Sequence, residues 1–302
     1  MRTDLTTFEK TVQQHNIDIH SIIVVSNEKI LIEKYYRGRN SVFYEPATLH
    51  PMFSITKSFV GIATGLLCGE KRISLSDSVI RYFPEYEKYA DENIRKTSIE
   101  DLLTMTGCHS KTTYKINPES NWIESFFTTP SDKVPGSSFD YETSGSHILC
   151  ALIKKCTGLS LLEYLNSKIN NLNISNTAYV RTDPFGAEMG GAGLICTPHD
   201  LIGFSNFVNS SIKKTNSLFP ADYLNKATSQ RVSTLSKANL AFKKYGYGYY
   251  FWIQPKNRFL CYGQNGQFIY FSENGFVITT ADTSSDPALD QKIIEAIEKA
   301  FM

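Results

Sequence analysis

The apolar positions of this chain follow two rhythms. Near both ends they form short β-rich runs, and between them they recur at helical spacing. Ile22-Ile23-Val24-Val25 and Ile30-Leu31-Ile32 flank the turn-like Ser26-Asn27-Glu28-Lys29, so residues 16–36 are expected to form a hairpin. Near the other end, Tyr245 to Ile253, Phe259 to Tyr262, Phe268 to Phe271 and Phe276 to Thr280 read as strands. Pro287 to Phe301 closes the chain as an amphipathic helix, with Leu289, Ile293, Ile294, Ile297 and Phe301 on one face.

Between these ends, Phe59, Ile62, Ala63, Leu66 and Leu67 mark a helix that opens at Ser54 and stops near Gly69, a residue suited to a C-cap. A short turn at Val79 to Phe83 is stopped by Pro84. Thr97 and Glu100 have capping-box spacing for a helix ending at Gly107. Cys108 to Asp140 reads as a long polar loop that walls a pocket. Within it Trp122, Phe126 and Phe127, like Tyr249 and Trp252 later, suit a pocket wall or, more commonly, core. Ile148 to Ile169 predicts two helices broken at Gly158. Gly190 to Gly193 is a flexible turn, and the next helix opens at Thr197-Pro198 with Asp200 in its first turn. Asn209 to Asn216 reads as a solvated loop. The expected fold is of α/β (α+β) class: one domain over 1–302, with an antiparallel sheet lobe from 1–53 plus 241–302 and a mainly helical lobe from 54–240.

Composition narrows the function classes. The chain has 302 residues, 41% hydrophobic and 20% charged, with 31 basic against 30 acidic side chains and a net charge of +1. That balance provides no field for nucleic acid or an anionic membrane. The N-terminal stretch lacks an apolar signal region, and no run reaches the roughly 20 apolar residues of a membrane span, so a cytoplasmic location is expected. The six cysteines lie singly in apolar segments, as buried free thiols do. The six histidines lack metal-ligand spacing, and no metal or other cofactor is expected. Nothing in the pattern specifies an oligomeric state.

Candidate chemistry centres on Ser54 and Lys57. Three apart at a helix start, they are neighbours. A serine hydroxyl needs a nearby base, and a lysine in a dry pocket loses its proton readily enough to be one. Amides at a helix N-terminus stabilise an oxyanion. The spacing also occurs at Ser26/Lys29, Ser210/Lys213 and Ser211/Lys214, but only the Ser54 copy opens a long apolar helix. The plain alternative makes Ser54 a helix cap and Lys57 a surface residue.

Further landmarks follow in order: Ile99-Glu100-Asp101-Leu102-Leu103-Thr104-Met105-Thr106-Gly107, Phe139-Asp140-Tyr141-Glu142-Thr143-Ser144, Gly190-Gly191-Ala192-Gly193-Leu194 with Thr197 and Asp200, and Gly263-Gln264-Asn265-Gly266-Gln267. Together with the Ser54 segment, this series resembles the serine β-lactamase-related superfamily over about Ile19 to Ala300. It is closest to the branch holding class C β-lactamases, DD-peptidases, esterases and oligomer-cleaving amidases. The resemblance implies Ser54 as acylated nucleophile, Lys57 as its proton acceptor and Tyr141 as a proton shuttle that cationic neighbours assist. It also implies oxyanion donors at the Ser54 and Gln267 amides, and substrate contacts from Thr143, Gln264, Asn265, Gly266 and Gln267. Tyr164-Leu165-Asn166 and Tyr223-Leu224-Asn225 match the tyrosine motif more literally, but they lie in helix-patterned runs.

Two positions depart from the pattern. Thr143 replaces an asparagine, and Gln264 replaces the lysine or histidine that pairs with a substrate carboxylate. Both changes argue against efficient β-lactam hydrolysis. The expectation is therefore a serine hydrolase acting on a small ester, amide or short peptide-like substrate. An acyltransferase with the same acyl-enzyme, or a non-catalytic binding protein of the same fold, are the alternatives.

Overall fold

The computed structural model describes residues 1–39, 41–213 and 216–302. Nine strands lie among them: β1 (Asp18–Ser26), β2 (Lys29–Tyr35), β3 (His50–Pro51), β4 (Tyr179–Val180), β5 (Leu194–Cys196), β6 (Trp252–Gln254), β7 (Arg258–Gly263), β8 (Gln267–Ser272) and β9 (Gly275–Asp282). The α-helices of the same residues are α1 (Leu5–Gln14), α2 (Ile55–Gly69), α3 (Glu92–Lys96), α4 (Ile99–Leu103), α5 (Trp122–Thr128), α6 (Ser144–Thr157), α7 (Leu161–Lys168), α8 (Asp200–Lys213), α9 (Tyr223–Ala227) and α10 (Pro287–Phe301).

Six strands pair antiparallel in the order β2-β1-β9-β8-β7-β6, so the two ends of the chain meet at β1 and β9. The first hairpin turns at Asn27 and Glu28, both with positive φ, the geometry of a tight two-residue turn. β1 and β9 are buried almost throughout, and α1 and α10 pack against each other, with Phe8 against Phe301. α1 carries its apolar residues at Leu5, Phe8 and Val12 and is capped by Asp4. The segment between the sheet's halves is mostly helix and loop, with a small sheet β3-β5-β4 set into it. This is the mixed α/β architecture that the hydrophobic pattern predicts.

Several boundaries differ from those expectations, each for a tertiary reason. The capping box is formed by Ser98 and Asp101, and α4 ends at Leu103; Thr97 instead closes α3, donating its hydroxyl to the Asn93 carbonyl. α5 forms inside the supposed loop because Trp122, Phe126 and Phe127 are buried. Asn209 to Lys213 extend α8, so Ser210 and Lys213 are helical, while Lys214 of the last Ser-x-x-Lys copy lies outside the described residues. Of the aromatic run 245–253 only Trp252 and Ile253 belong to a strand; Gly246 and Tyr250 take positive φ and break the rest.

Gly69 ends α2 for a different reason from the one expected. A Cβ there would lie 1.9 Å from the Leu218 carbonyl oxygen, so the glycine permits close backbone approach, and Lys71 takes the left-handed turn at φ 58°. Gly69→Ala should therefore lower unfolding stability by about 1–3 kcal/mol in urea denaturation. Lys71→Gly should leave it unchanged or raise it, the reverse of a conventional glycine cap.

Candidate active site

Ser54 stands at the N-terminus of α2, after a strained residue. Phe53 has φ 45°, which costs a non-glycine residue about 1 kcal/mol or more. The segment is fixed from several sides. The Met52 amide donates to the Leu194 carbonyl, the Leu194 amide donates to Thr56 Oγ1, and Ser58 Oγ donates to the Tyr250 carbonyl. Ser54 makes no side-chain capping bond, so the helix-cap alternative fails on geometry. Its amide has no backbone acceptor among the described residues.

Lys57 is 1% exposed, so the surface alternative fails too. Its Nζ lies 3.1 Å from Ser54 Oγ, 2.7 Å from the Gly191 carbonyl oxygen and 3.5 Å from Thr143 Oγ1. A neutral amine has two protons and one lone pair. Donating to Gly191 and Thr143 leaves the lone pair for the Ser54 hydroxyl. Burial pulls the Lys57 pKa down to about 7; the Glu142 carboxylate opposes this and the Lys115 ammonium adds to it.

Gly191 can present its carbonyl here because it lacks a side chain. A Cβ would sit 2.0 Å from Thr143 Cγ2 and 2.8 Å from Ser146 Oγ. The glycine turn is thus close-packed, where flexibility was expected. Thr143 begins α6, and its amide donates to Thr112 Oγ1 at 2.9 Å.

Tyr141 reaches the site through the segment that precedes α6. The Gly136 amide donates to the Thr106 carbonyl and the Asp140 amide to the Met105 carbonyl. Asp140 also pairs with Lys133 at 3.0 Å and Lys237 at 2.8 Å. The Tyr141 ring stacks on Trp252 at 5.5 Å and meets the edge of Tyr247, while Lys57 Nζ lies 5.1 Å from its centroid. One side of the ring is open, and the residue is 39% exposed. Burial of the hydroxyl pushes its pKa up to about 12, hydrogen bonding with Ser54 and Tyr247 pulls the other way, and Glu142 raises it again. That shift runs against the easier ionisation that cationic neighbours were expected to give. The two rival tyrosines are core residues: Tyr223 donates its hydroxyl to the Gly61 carbonyl, and Tyr164 is buried in α7.

The third segment is placed differently from the first two. Gly263 abuts Met52, where a Cβ would lie 2.2 Å from the carbonyl oxygen, so the β7–β8 turn runs beside the approach to Ser54. Its side chains are committed elsewhere. Gln264 donates to Ser285 Oγ, and Asn265 Oδ1 accepts from the Ser285 amide. Gln267 donates to the Asn265 and Ala281 carbonyls. Gly266, at φ 80°, allows the turn to close against Ile293. Ser54, Lys57, Tyr141 and Thr143 are thus brought together, whereas the amides of Gln264 and Gln267 bond to other partners.

Glu142 went unrecognised as a candidate. Its carboxylate accepts from the Ser144 amide at 2.6 Å, the Gly145 amide at 2.8 Å and the Ser144 hydroxyl. A buried acid just before a helix is the available signal, but nothing local links it to Lys57.

The sequence and the fold have counterparts in known proteins. The chain is 26% identical over 204 residues to Protein flp of Staphylococcus aureus (strain NCTC 8325 / PS 47), covering 62% of this chain and 41% of that protein. It is 24% identical over 219 residues to the 6-aminohexanoate-dimer hydrolase of Paenarthrobacter ureafaciens, covering 67% of this chain and 54% of that one. It therefore spans about half the length of these curated relatives. Among solved structures, EstCE1, described as a hydrolase with promiscuous acyltransferase activity, superposes with a TM-score of 0.75 at 14% identity over 97% of this chain and 98% of its own. The Beta-lactamase family profile matches residues 6–288, nearly the whole sequence, and the chain belongs to that family.

Proposed function

We propose that the chain is a serine hydrolase that cleaves an ester or amide through an acyl-enzyme on Ser54. One observation carries this reading: the buried amine of Lys57, with its pKa held near 7, lies 3.1 Å from the Ser54 hydroxyl. A base matched to neutral pH is what a serine nucleophile requires.

In the proposed reaction Lys57 takes the proton as Ser54 Oγ bonds to the substrate carbonyl carbon. The oxyanion is held by the Ser54 amide, with the Gln267 amide as proposed second donor; each such donor is typically worth about 3 kcal/mol. Tyr141, a neutral phenol, hands a proton to the departing oxygen or nitrogen as its bond to carbon breaks, and regains one from Lys57. Water then enters and loses a proton to the same relay as its oxygen bonds to the acyl carbon; the relay returns that proton to Ser54 Oγ as the acyl–Oγ bond breaks and the acid leaves. Thr143 holds the amine's second proton and so serves the base rather than a substrate amide. With Gln264 bonded to Ser285, the turn from 264 to 267 contributes backbone and no charge. Efficient β-lactam turnover therefore has little support, and a linear ester or amide fits better. The activity named for the Paenarthrobacter relative supports the amide reading. The description of EstCE1 supports a second one, in which an alcohol or amine replaces water as acceptor.

A fluorophosphonate probe should add one adduct by intact-mass spectrometry, absent in Ser54→Ala. No adduct on the wild type would leave only a binding protein of this fold. The labelling rate should rise with pH through about 7 as Lys57 loses its proton. Tyr141→Phe should slow ester turnover while keeping that midpoint; a midpoint that moves with Tyr141 would identify the phenol as the base.

The same lysine sets a stability test. Its folded pKa of about 7 lies below the ordinary 10.5, so protonation favours the unfolded chain. The penalty is full below about pH 7, shrinks as pH rises and vanishes above 10.5. Lys57→Met should abolish labelling yet raise the urea midpoint at pH 7, with the gain over wild type closing towards pH 10.

A further inference from the structure

Beside Tyr141 opens a cleft of about 390 Å³ that the reaction above does not use. Residues 109–113, Lys115 and Ile116 form most of its lining, with Thr129, Pro130, Asp132 and Tyr141 completing it. It is joined to the reaction centre through Thr112, whose hydroxyl accepts from the Thr143 amide.

The lining is charged, and the charge is unbalanced. Lys111 and Lys115 both face it, and neither has an ion-pair partner among the described residues. The acid of the lining, Asp132, is taken by the amide and hydroxyl of Ser110. The Lys115 charge reaches far enough inward to depress the Lys57 pKa. A further feature is independent of charge. Thr113 is one of the lining residues, and its Oγ1 is buried without any hydrogen-bond partner. An unpaired buried hydroxyl costs stability unless something accepts its proton.

We propose that this cleft binds a carboxylate on the leaving-group half of the substrate, with Lys115 and Lys111 supplying the charge and the Thr113 hydroxyl donating to a carboxylate oxygen. The inference rests on the acyl-enzyme reading. Tyr141, which protonates the departing atom there, is the reaction-centre residue that lines the cleft, so the departing half is the half that enters it. Lys115 and Lys111 would thereby supply the cation that position 264 lacks. Protonation states remain simple: the carboxylate stays ionised and bound while the carbonyl–oxygen bond breaks, and the released oxygen takes its proton from Tyr141.

The test compares acylation of Ser54 by 3-carboxyphenyl butyrate and by 3-carbamoylphenyl butyrate, which leave the same butyryl-enzyme. Taking the ratio of the two rates in each protein cancels most of their intrinsic reactivity difference. That ratio should fall about five-fold in Lys115→Met, as expected of a partly exposed ion pair, and less in Lys111→Met. Lys115→Glu should reverse the preference, Thr113→Val should weaken it, and high salt should shrink it in the wild type. A ratio indifferent to Lys115, or failure of both esters to acylate a Ser54 that fluorophosphonate labels, would overturn the subsite while leaving the hydrolase reading intact. Failure of fluorophosphonate itself would remove that reading instead.

Discussion

A lysine amine taken out of water is the constraint around which this molecule is arranged. Burying an ammonium is costly, and the group escapes the cost by giving up its proton. A neutral amine still needs partners, and two distant segments and its own helix turn supply them: the Gly191 carbonyl, the Thr143 hydroxyl and the Ser54 hydroxyl. Each partner imposes a local demand. Gly191 must lack a side chain to lie against Thr143, Thr143 must begin a helix, and Ser54 must forgo the cap its position invites. The strain at Phe53 is tolerable because Met52, Thr56 and Ser58 pin the segment on both sides of it.

Glu142 sets the electrostatic balance. Its carboxylate raises both the Lys57 and the Tyr141 pKa, against burial in the first case and with it in the second. The amine is drawn towards neutrality while the phenol is pushed away from ionisation, the separation that the proposed base and acid roles call for. The carboxylate can be held so close because the start of α6 feeds it two amides and a hydroxyl. Gly145 belongs to the same arrangement, since a Cβ there would lie 2.6 Å from Glu142 Oε1. A negative end placed against the N-terminus of α6 is favourable in itself, so the helix helps to pay for the charge.

What the sequence reveals of this design follows from the range of each interaction. The hairpin at Asn27-Glu28, the break at Gly158 and the span of α10 are set by local periodicity and turn chemistry, and they lie where the pattern puts them. The pairing of Ser54 with Lys57 is legible for the same reason, because both lie on one helix turn. Boundaries governed by distant contacts are not. Thr97 and Ser98 are equally good caps on paper, and only the packing of α3 decides between them. Gly69 looks like a terminator until the backbone of Leu218 lies across it. The run 245–251 has the composition of a strand, but its residues bond to 227, 231, 232 and 103 instead of to a continuous neighbour. Glu142 and Gly191 carry no local mark of their relation to Lys57, which is 85 and 134 residues away respectively.

In the proposed reaction the β7–β8 turn separates chemistry from selectivity. Its side chains are spent on the segment from Ala281 to Ser285, which holds its backbone rigidly beside Met52. A turn that offers only amides treats any acyl group alike, because an oxyanion presents the same oxygen whatever is attached to its carbon. Discrimination must then come from a wall that can vary without disturbing the amine and its partners. The loop from His109 to Ile116 meets that condition. It touches the reaction centre through Thr112 and Tyr141, yet Lys111 and Lys115 are exposed beside the buried His109, Thr112, Thr113 and Tyr114. On the proposed mechanism, substitutions there would alter what is admitted, whereas substitutions around Lys57 would alter whether reaction occurs at all.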